Sequence, residues 1–214
     1  MINDIFEDKF CLNLDKRPDR WTKVVNEFNS VGFKVNRVAA VDGLLLKDKN
    51  PELAKHFNPE ELGIWPKIGL MKSWENLIDA AIDSNLKNIT VFEDDLKFCE
   101  NFKASYSSLL NNLPEKWDII FFANNRVAPT GYSPPQNDST FLDAKHSIVM
   151  GLHFVSVNAS VLPRFKKYLK NGINIMRILN DSYAFTRYYS RSSLAQQIAG
   201  YSDIRQANLE AHQI

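Results

Sequence analysis

Short apolar runs alternate along the chain with segments whose apolar residues recur every three to four positions, a rhythm that predicts strands alternating with helices. Phe10-Cys11-Leu12-Asn13-Leu14 reads as a first buried strand. Arg17-Pro18-Asp19-Arg20 then opens a helix, with Pro18 suited to its first position and Asp19 to the positive end of its dipole. Trp21, Val24, Val25, Phe28 and Val31 follow at helical spacing and Gly32 supplies a stop. A second strand over 33–38 runs into Ala39-Ala40-Val41-Asp42-Gly43. This β-α-β order implies a right-handed crossover and a parallel pair.

Residues 44–66, polar and carrying Pro51, Pro59 and Pro66, predict loops and short helical turns. Met71, Trp74, Leu77, Ile78, Ala81 and Ile82 predict a helix over about 67–84. Asn88 to Phe92 reads as a third strand and Trp117 to Phe122 as a fourth, apolar apart from Asp118. Residues 124–140 hold Pro129, Gly131, Pro134 and Pro135 and predict a long loop of the kind that often carries function. Residues 147–157 read as a strand or hairpin, with helices near 160–170 and 181–189. The whole of 1–214 is expected to form a single α/β domain.

The third strand runs straight into Glu93-Asp94-Asp95. Three adjacent carboxylates repel, and a divalent cation with a taste for hard oxygen ligands would offset that cost. A solvated strand end is the plainer reading of such a triplet. In open α/β sheets, however, ligands sit beyond the carboxyl ends of the strands, and Asn13 to Arg20 and Asp42-Gly43 fall there too.

Composition narrows the classes. Apolar content of 44% and charged content of 24% suit a globular domain, and a net charge of +1 gives no bulk attraction to nucleic acid. Cys11 and Cys99, the only two cysteines, have no zinc or CxxC spacing and point to a reduced compartment. The acidic N-terminus lacks the basic start and apolar core of a signal peptide, and no apolar stretch reaches the ~20 residues that span a bilayer. A cytoplasmic location is expected. A phosphatase with an aspartyl nucleophile after strand one would need a second Asp where Arg17 stands, and a nucleotidyltransferase would need a Gly-rich basic loop there.

Several segments together resemble the family 25 glycosyltransferases, the lipopolysaccharide-type galactosyltransferases and related collagen galactosyltransferases. Cys11-Leu12-Asn13-Leu14-Asp15-Lys16-Arg17-Pro18-Asp19-Arg20 is similar to the family's opening, and Ala40-Val41-Asp42-Gly43 to its A-x-D-G. Gly69-Leu70-Met71-Lys72-Ser73 resembles its helix start, Phe92-Glu93-Asp94-Asp95 its L-E-D-D, and Gln197 with Tyr201-Ser202-Asp203-Ile204 its close. The likenesses keep family order from about residue 10 to 204. Two depart from the pattern: Trp74 stands where a histidine is frequent, and Leu179-Asn180-Asp181 only echoes a P-V-D.

The resemblance implies a GT-A-like fold, with a mostly parallel central sheet flanked by helices. It also implies inverting transfer of a hexose, galactose or glucose, from a UDP-sugar to a hydroxyl of a glycan, lipid-linked or protein acceptor. Asp94 and Asp95 would hold Mn²⁺ or Mg²⁺ against the diphosphate, with His153 as a further ligand; a lone histidine in so apolar a run also suits the core. Strand alternation turns Glu93 away from Asp94, towards a ribose or supporting role. Arg17 and Arg20 suit phosphate or ribose contacts near a helix N-terminus, or ordinary surface charge. Asn13 and Asp42 suit the base or ribose, or simple turns.

Asp181 is the candidate general base, although Asn180-Asp181-Ser182 is equally a helix N-cap sequence. Residues 164–170 form a basic, partly amphipathic stretch that suits peripheral membrane contact or a solvated helix face. Trp65, Trp74 and Tyr132 are aromatic residues able to stack on sugars. A non-catalytic nucleotide-sugar or glycan-binding domain that keeps the fold is the alternative.

Overall fold

The computed structural model describes residues 5–57, 63–129, 140–203 and 207–209. Its elements begin with β1 (Lys9–Leu14), α1 (Pro18–Val31) and β2 (Asn36–Ala40), the anticipated β-α-β with β1 and β2 parallel. Helix α1 ends where Gly32 takes a left-handed φ of 82°, its N–H returning to the Phe28 and Asn29 carbonyls. A four-residue helix, α2 (Gly43–Leu46), and a 3-10 turn over Pro51–His56 lead to α3 (Ile64–Asp83).

β3 (Asn88–Glu93), β4 (Leu96–Phe98), α4 (Phe102–Asn111), β5 (Ile119–Phe121), β6 (Arg126–Pro129), β7 (Phe141–Asp143), β8 (Ser147–Met150) and β9 (Phe154–Asn158) follow. After α5 (Leu162–Lys170) and α6 (Ile175–Leu179) come β10 (Arg187–Ser190), β11 (Ala195–Gln197), β12 (Gly200–Ser202) and β13 (Ala207–Leu209).

Seven strands form the central sheet in the order β2-β1-β3-β9-β5-β10-β7. Strands β2, β1, β3, β5 and β10 run one way, while β9 and β7 run against them. The expected mostly parallel sheet therefore holds for strand direction. β9, inserted between β3 and β5, makes both of its own pairings antiparallel.

The apolar runs are continuous because the central strands are covered on both faces. Val91, Ile119, Phe121 and Val155 join Trp74, Ile78, Phe165 and Ile178 on the face of α3, α5 and α6. Phe92, Ile120, Phe122 and Phe154 join Phe28, Phe102 and Tyr106 on the face of α1 and α4. Phe154 anchors that second core, with ring centroids 4.6 Å from Phe92 and 4.8 Å from Phe122.

Three expectations fail, each for a local reason. Residues 147–157 are two strands in different sheets: Gly151 at φ 105° breaks the run, β8 pairs with β6 in a separate ribbon, and β9 enters the core. Residues 181–189 are a turn and a strand: the Asp181 carboxylate caps a single turn by accepting the Tyr183 and Ala184 N–H groups, and from Arg187 the chain is taken up by pairing with β5 and β7 instead of continuing as a helix. β10 is then held by buried Arg187, which donates to the carbonyls of Ala144 at 2.6 Å and Ser147 at 3.2 Å. The second strand begins at Asn36 rather than Phe33, since the Phe33 N–H is taken by the Phe28 carbonyl in the cap that closes α1, while its ring packs against Phe102 and Tyr106.

No helix among the described residues is long and apolar enough to cross a membrane. The basic stretch is α5, and two of its charges are occupied: Lys166 pairs with Asp79 at 2.6 Å, and Arg164 lies over the Phe185 ring. Tyr132 and most of the 124–140 segment lie outside the described residues.

Candidate functional site

The chain leaves β1 towards β2 on one side and returns to β3 on the other, which opens a crevice at the carboxyl ends of these strands. A cleft open to solvent lies there. Lys16, Arg20, Asp42, Glu93, Asp94, Asp95, Gln197 and Asp203 supply its polar lining, and Leu12, Leu14, Ala40, Val41, Pro66 and Leu70 an apolar wall. Segments scattered from Leu12 to Asp203 thus meet at one place.

Close backbone approach builds the wall. Gly43 and Gly69 face each other: a Cβ on Gly69 would fall 2.4 Å from the Val41 carbonyl oxygen and 2.6 Å from the Gly43 nitrogen. Only a residue without a side chain lets α3 sit so near the Val41–Gly43 turn. Ser73, one helical turn further, accepts the Val41 N–H at 2.8 Å and donates to the Gly69 carbonyl. Asp42 caps α2 through the Leu44 N–H and takes an ion pair from Lys16 at 2.6 Å.

The acidic run sits where β3 ends and a turn begins. The two oxygens of Asp94 are both engaged, Oδ1 by Arg20 Nη1 and Oδ2 by Asn13 Nδ2, each at 2.7 Å. Asp95 Oδ2 accepts from Gln197 Nε2 at 3.0 Å and lies 3.5 Å from Arg20 Nη2. Asp95 Oδ1 is buried without a partner. Burial and the neighbouring charges of Asp95 and Asp94 push the Glu93 carboxyl up to about 8, and burial raises Asp94 and Asp95 as well. Contrary to the alternation expected of it, Glu93 lines the same cleft as Asp94 and Asp95.

Of the other residues expected at the site, Arg20 and Asp42 line the cleft and Asn13 and Arg17 brace it from behind. Asn13, 1% exposed, donates to Asp94 and the Arg17 carbonyl and accepts from Arg37 Nε at 2.8 Å, which leaves it little capacity for a base or ribose. Arg17 pairs with Asp19 at 3.0 Å and with Asp203 at 2.6 Å. Those bonds raise the Arg17 guanidinium and lower Asp19 to about 2.

His153 is fully buried, its Nε2 3.3 Å from the Ala195 carbonyl oxygen and its Nδ1 unpartnered beside Gly151, and it does not line the cleft. Burial lowers it to about 4, so it is neutral at physiological pH. Its expected place beside Asp94 and Asp95 as a metal ligand is not what the structure shows. Asp181 also lies off the cleft, capping its turn. Trp74 is a core residue, 1% exposed.

Lys16, Gln197 and Asp203 line the cleft without having been singled out for it. The signal was present in the same short segments that carried the resemblance, but nothing in a linear pattern aims their side chains.

A divalent cation fits this arrangement in part. Three carboxylates face one guanidinium, and one oxygen of Asp95 is left over for a ligand. Among the described residues no three His, Cys, Asp or Glu side chains group as a complete ligand set. Mg²⁺-type sites commonly draw on one or two carboxylates and take the rest from phosphates and water.

An α/β domain with an acidic pair and basic residues at its strand ends belongs to the broad class whose ligands bind beyond the carboxyl edge of the sheet. Comparison with known sequences makes the assignment particular. The chain belongs to glycosyltransferase family 25, described as Glycosyltransferase family 25 (LPS biosynthesis protein), whose profile matches residues 6–202.

A Glycosyltransferase 25 family member of Aedes aegypti is 29% identical over 128 residues, covering 55% of this chain and 21% of that protein. Procollagen galactosyltransferase 2 of Homo sapiens is 27% identical over 136 residues, 57% of this chain and 21% of that one. A Rattus norvegicus protein named Probable inactive glycosyltransferase 25 family member 3 is 25% identical over 138 residues, covering 58% and 24%. The matched part of the chain thus spans about a fifth to a quarter of these curated relatives' length.

Proposed function

We propose that this domain transfers a hexose, galactose or glucose, from a UDP-sugar to a hydroxyl of a glycan, lipid-linked or protein acceptor, with inversion at the anomeric carbon. The convergence of the family-like segments on one cleft carries the reading: the 12–20, 40–44, 66–73, 93–95 and 197–203 stretches all contribute to its lining. The apolar wall of Leu12, Leu14, Ala40, Val41 and Leu70 suits a nucleobase and sugar face. Asp42 and Glu93 offer hydroxyl acceptors for ribose, and Lys16 and Arg20 offer positive charge to a diphosphate.

Asp94 and Asp95 would hold Mn²⁺ or Mg²⁺, which as a Lewis acid stabilises charge on the departing diphosphate. Arg20 neutralises the acidic pair and orients it, and Asn13 braces Asp94 from behind. A base for the acceptor hydroxyl has to come from a group facing the cleft. Asp181 does not line it, while Asp42 and Asp203, which do, are paired with Lys16 and Arg17. A cytoplasmic location is part of the same proposal, with the basic face of α5 read as solvated.

One observation favours the non-catalytic reading instead: the Arg20 guanidinium spans both aspartates as a built-in counter-ion. Thermal shift with UDP, GDP and CMP, each with and without Mn²⁺, separates the two. A ligand present at ~100 times its Kd stabilises a fold by about 2.7 kcal/mol, which such an assay resolves readily. Stabilisation by UDP that requires Mn²⁺ and disappears in Asp95→Ala, together with slow UDP-sugar hydrolysis, supports the transferase. UDP binding without any hydrolysis or transfer supports a binding domain, and no response to any nucleotide sinks both.

A further inference from the structure

Asp95 is held from the far end of the chain. Gln197 closes β11, which pairs antiparallel with β4, immediately after the acidic turn. Its Nε2 donates to Asp95 Oδ2 at 3.0 Å, and the next residue's N–H, on Ile198, donates to the Asp95 carbonyl at 2.6 Å. Both the side chain and the main chain of Asp95 are therefore clasped by the end of one strand.

The Gln197 amide has its own orienter: its Oε1 accepts from Asn125 Nδ2 at 2.9 Å. A carboxylate only accepts, so Asp95 requires the nitrogen end of Gln197, and Asn125 must then present its own nitrogen to Oε1. The polarity of the whole chain follows from the anion at its end. Asn125 is itself tied down, its N–H donating to the Met150 carbonyl at the end of β8. With Oδ2 taken, Asp95 Oδ1 is the oxygen left buried and unpaired.

We infer that Gln197 is a positioning residue, fixed by Asn125, that occupies Asp95 Oδ2 and so presents Oδ1 to the ligand of the cleft. The inference deepens the proposed function and rests on its assignment of Asp95 to cation binding. Groups that hold a metal-ligating carboxylate in place typically govern affinity by about 10- to 100-fold. Replacing Asn125 by Asp is the sharper perturbation: two carboxylates then compete for one amide, and Gln197 is drawn to turn its nitrogen towards residue 125 and its oxygen towards Asp95.

Two measurements test it on the intact chain, Mn²⁺ titration and the side-chain amide resonance of Gln197 in the metal-free protein. Q197A and N125D are expected to weaken Mn²⁺ binding by about 10- to 100-fold while still unfolding cooperatively. N125A, which frees the amide without turning it, should fall between them and wild type. In the metal-free protein the Gln197 resonance should move in D95N and in N125D alike. Wild-type protein with no affinity for Mn²⁺ or nucleotide refutes the proposed function, and the amide resonance then decides the clasp alone. Wild-type binding with Q197A and N125D unchanged, or a Gln197 resonance indifferent to N125D, overturns the positioning role and leaves the proposed function standing.

Discussion

Gly69→Ala should destabilise this protein even though alanine is the better helix former. Within α3 the exchange is worth about 1 kcal/mol in favour of alanine on propensity alone. The new Cβ, however, falls 2.4 Å from the Val41 oxygen, 2.6 Å from the Gly43 nitrogen and 2.9 Å from the Gly43 Cα. All three are backbone atoms, which cannot swing aside as the end of a flexible side chain can. Bringing the shortest approach out to ordinary contact at 3.4 Å requires a retreat of 3.4 − 2.4 = 1.0 Å by α3 or the turn.

Overpacking of this kind costs about 1–3 kcal/mol, and a clash with backbone on two sides belongs at or above the upper end. The net expectation is a loss of about 2 kcal/mol, or about 4–8 °C in Tm for a domain of this size. The same retreat displaces Val41, Asp42 and Gly43 from the cleft wall, so any nucleotide response should weaken along with stability. Gly32→Ala is the control: nothing lies within 4 Å of its Cβ, and its φ of 82° makes the cost purely conformational, about 1 kcal/mol with the cleft untouched. Denaturant titration and thermal shift read both variants. A Gly69→Ala protein that is more stable than wild type, with ligand response intact, would refute the close approach of α3 to the Val41–Gly43 turn.

Three further outcomes are expected. Asp181→Ala should cost about 1 kcal/mol, because the Tyr183 and Ala184 N–H groups lose their acceptor, with transfer or hydrolysis activity retained; abolished activity in a folded protein would restore Asp181 as the base. His153, neutral and lowered to about 4 from an ordinary 6.5, contributes stability that is present above pH 6.5 and lost as pH falls towards 4, about 3 kcal/mol in all; the acid limb of a denaturation series should flatten in His153→Gln, and an unchanged limb would contradict its burial. Glu93, raised to about 8, acts in the opposite sense, its contribution being present below pH 4.5 and lost as pH climbs to 8; in metal-free protein Glu93→Gln should remove that decline, which a stability profile across this range records.

Much of the frame was legible without coordinates because burial on both faces leaves an unmistakable mark. Ile119 to Phe122 is an unbroken apolar run for that reason, Ile89 to Phe92 is interrupted only by Thr90, and α1 announces itself by Pro18, its apolar stripe and Gly32. The acidic run, Asp42-Gly43 and the Asn13 to Arg20 segment could likewise be assigned to strand ends, since topology alone puts strand ends on one edge of a sheet. What escaped were choices made by partners distant in sequence. Residues 147–157 carry no sign that β8 pairs with β6 while β9 slips between β3 and β5. Tyr188 and Tyr189 fit a helix or a strand, and pairing with β5 and β7 together with the Arg187 bonds decided for the strand.

The division at the site has the same cause. By itself the sequence determined which residue types reach the carboxyl edge of the sheet, because strand, turn and helix signals are local. Only the tertiary structure decided what each does there: Asn13 braces Asp94 instead of facing the cleft, Arg20 bridges Asp94 and Asp95, and His153 turns to Ala195 in the core. Gln197 reaches Asp95 across 102 residues of chain. A hydrogen bond is set by distances of a fraction of an ångström and by the direction of a side chain, and those are properties of packing between elements that no linear spacing encodes.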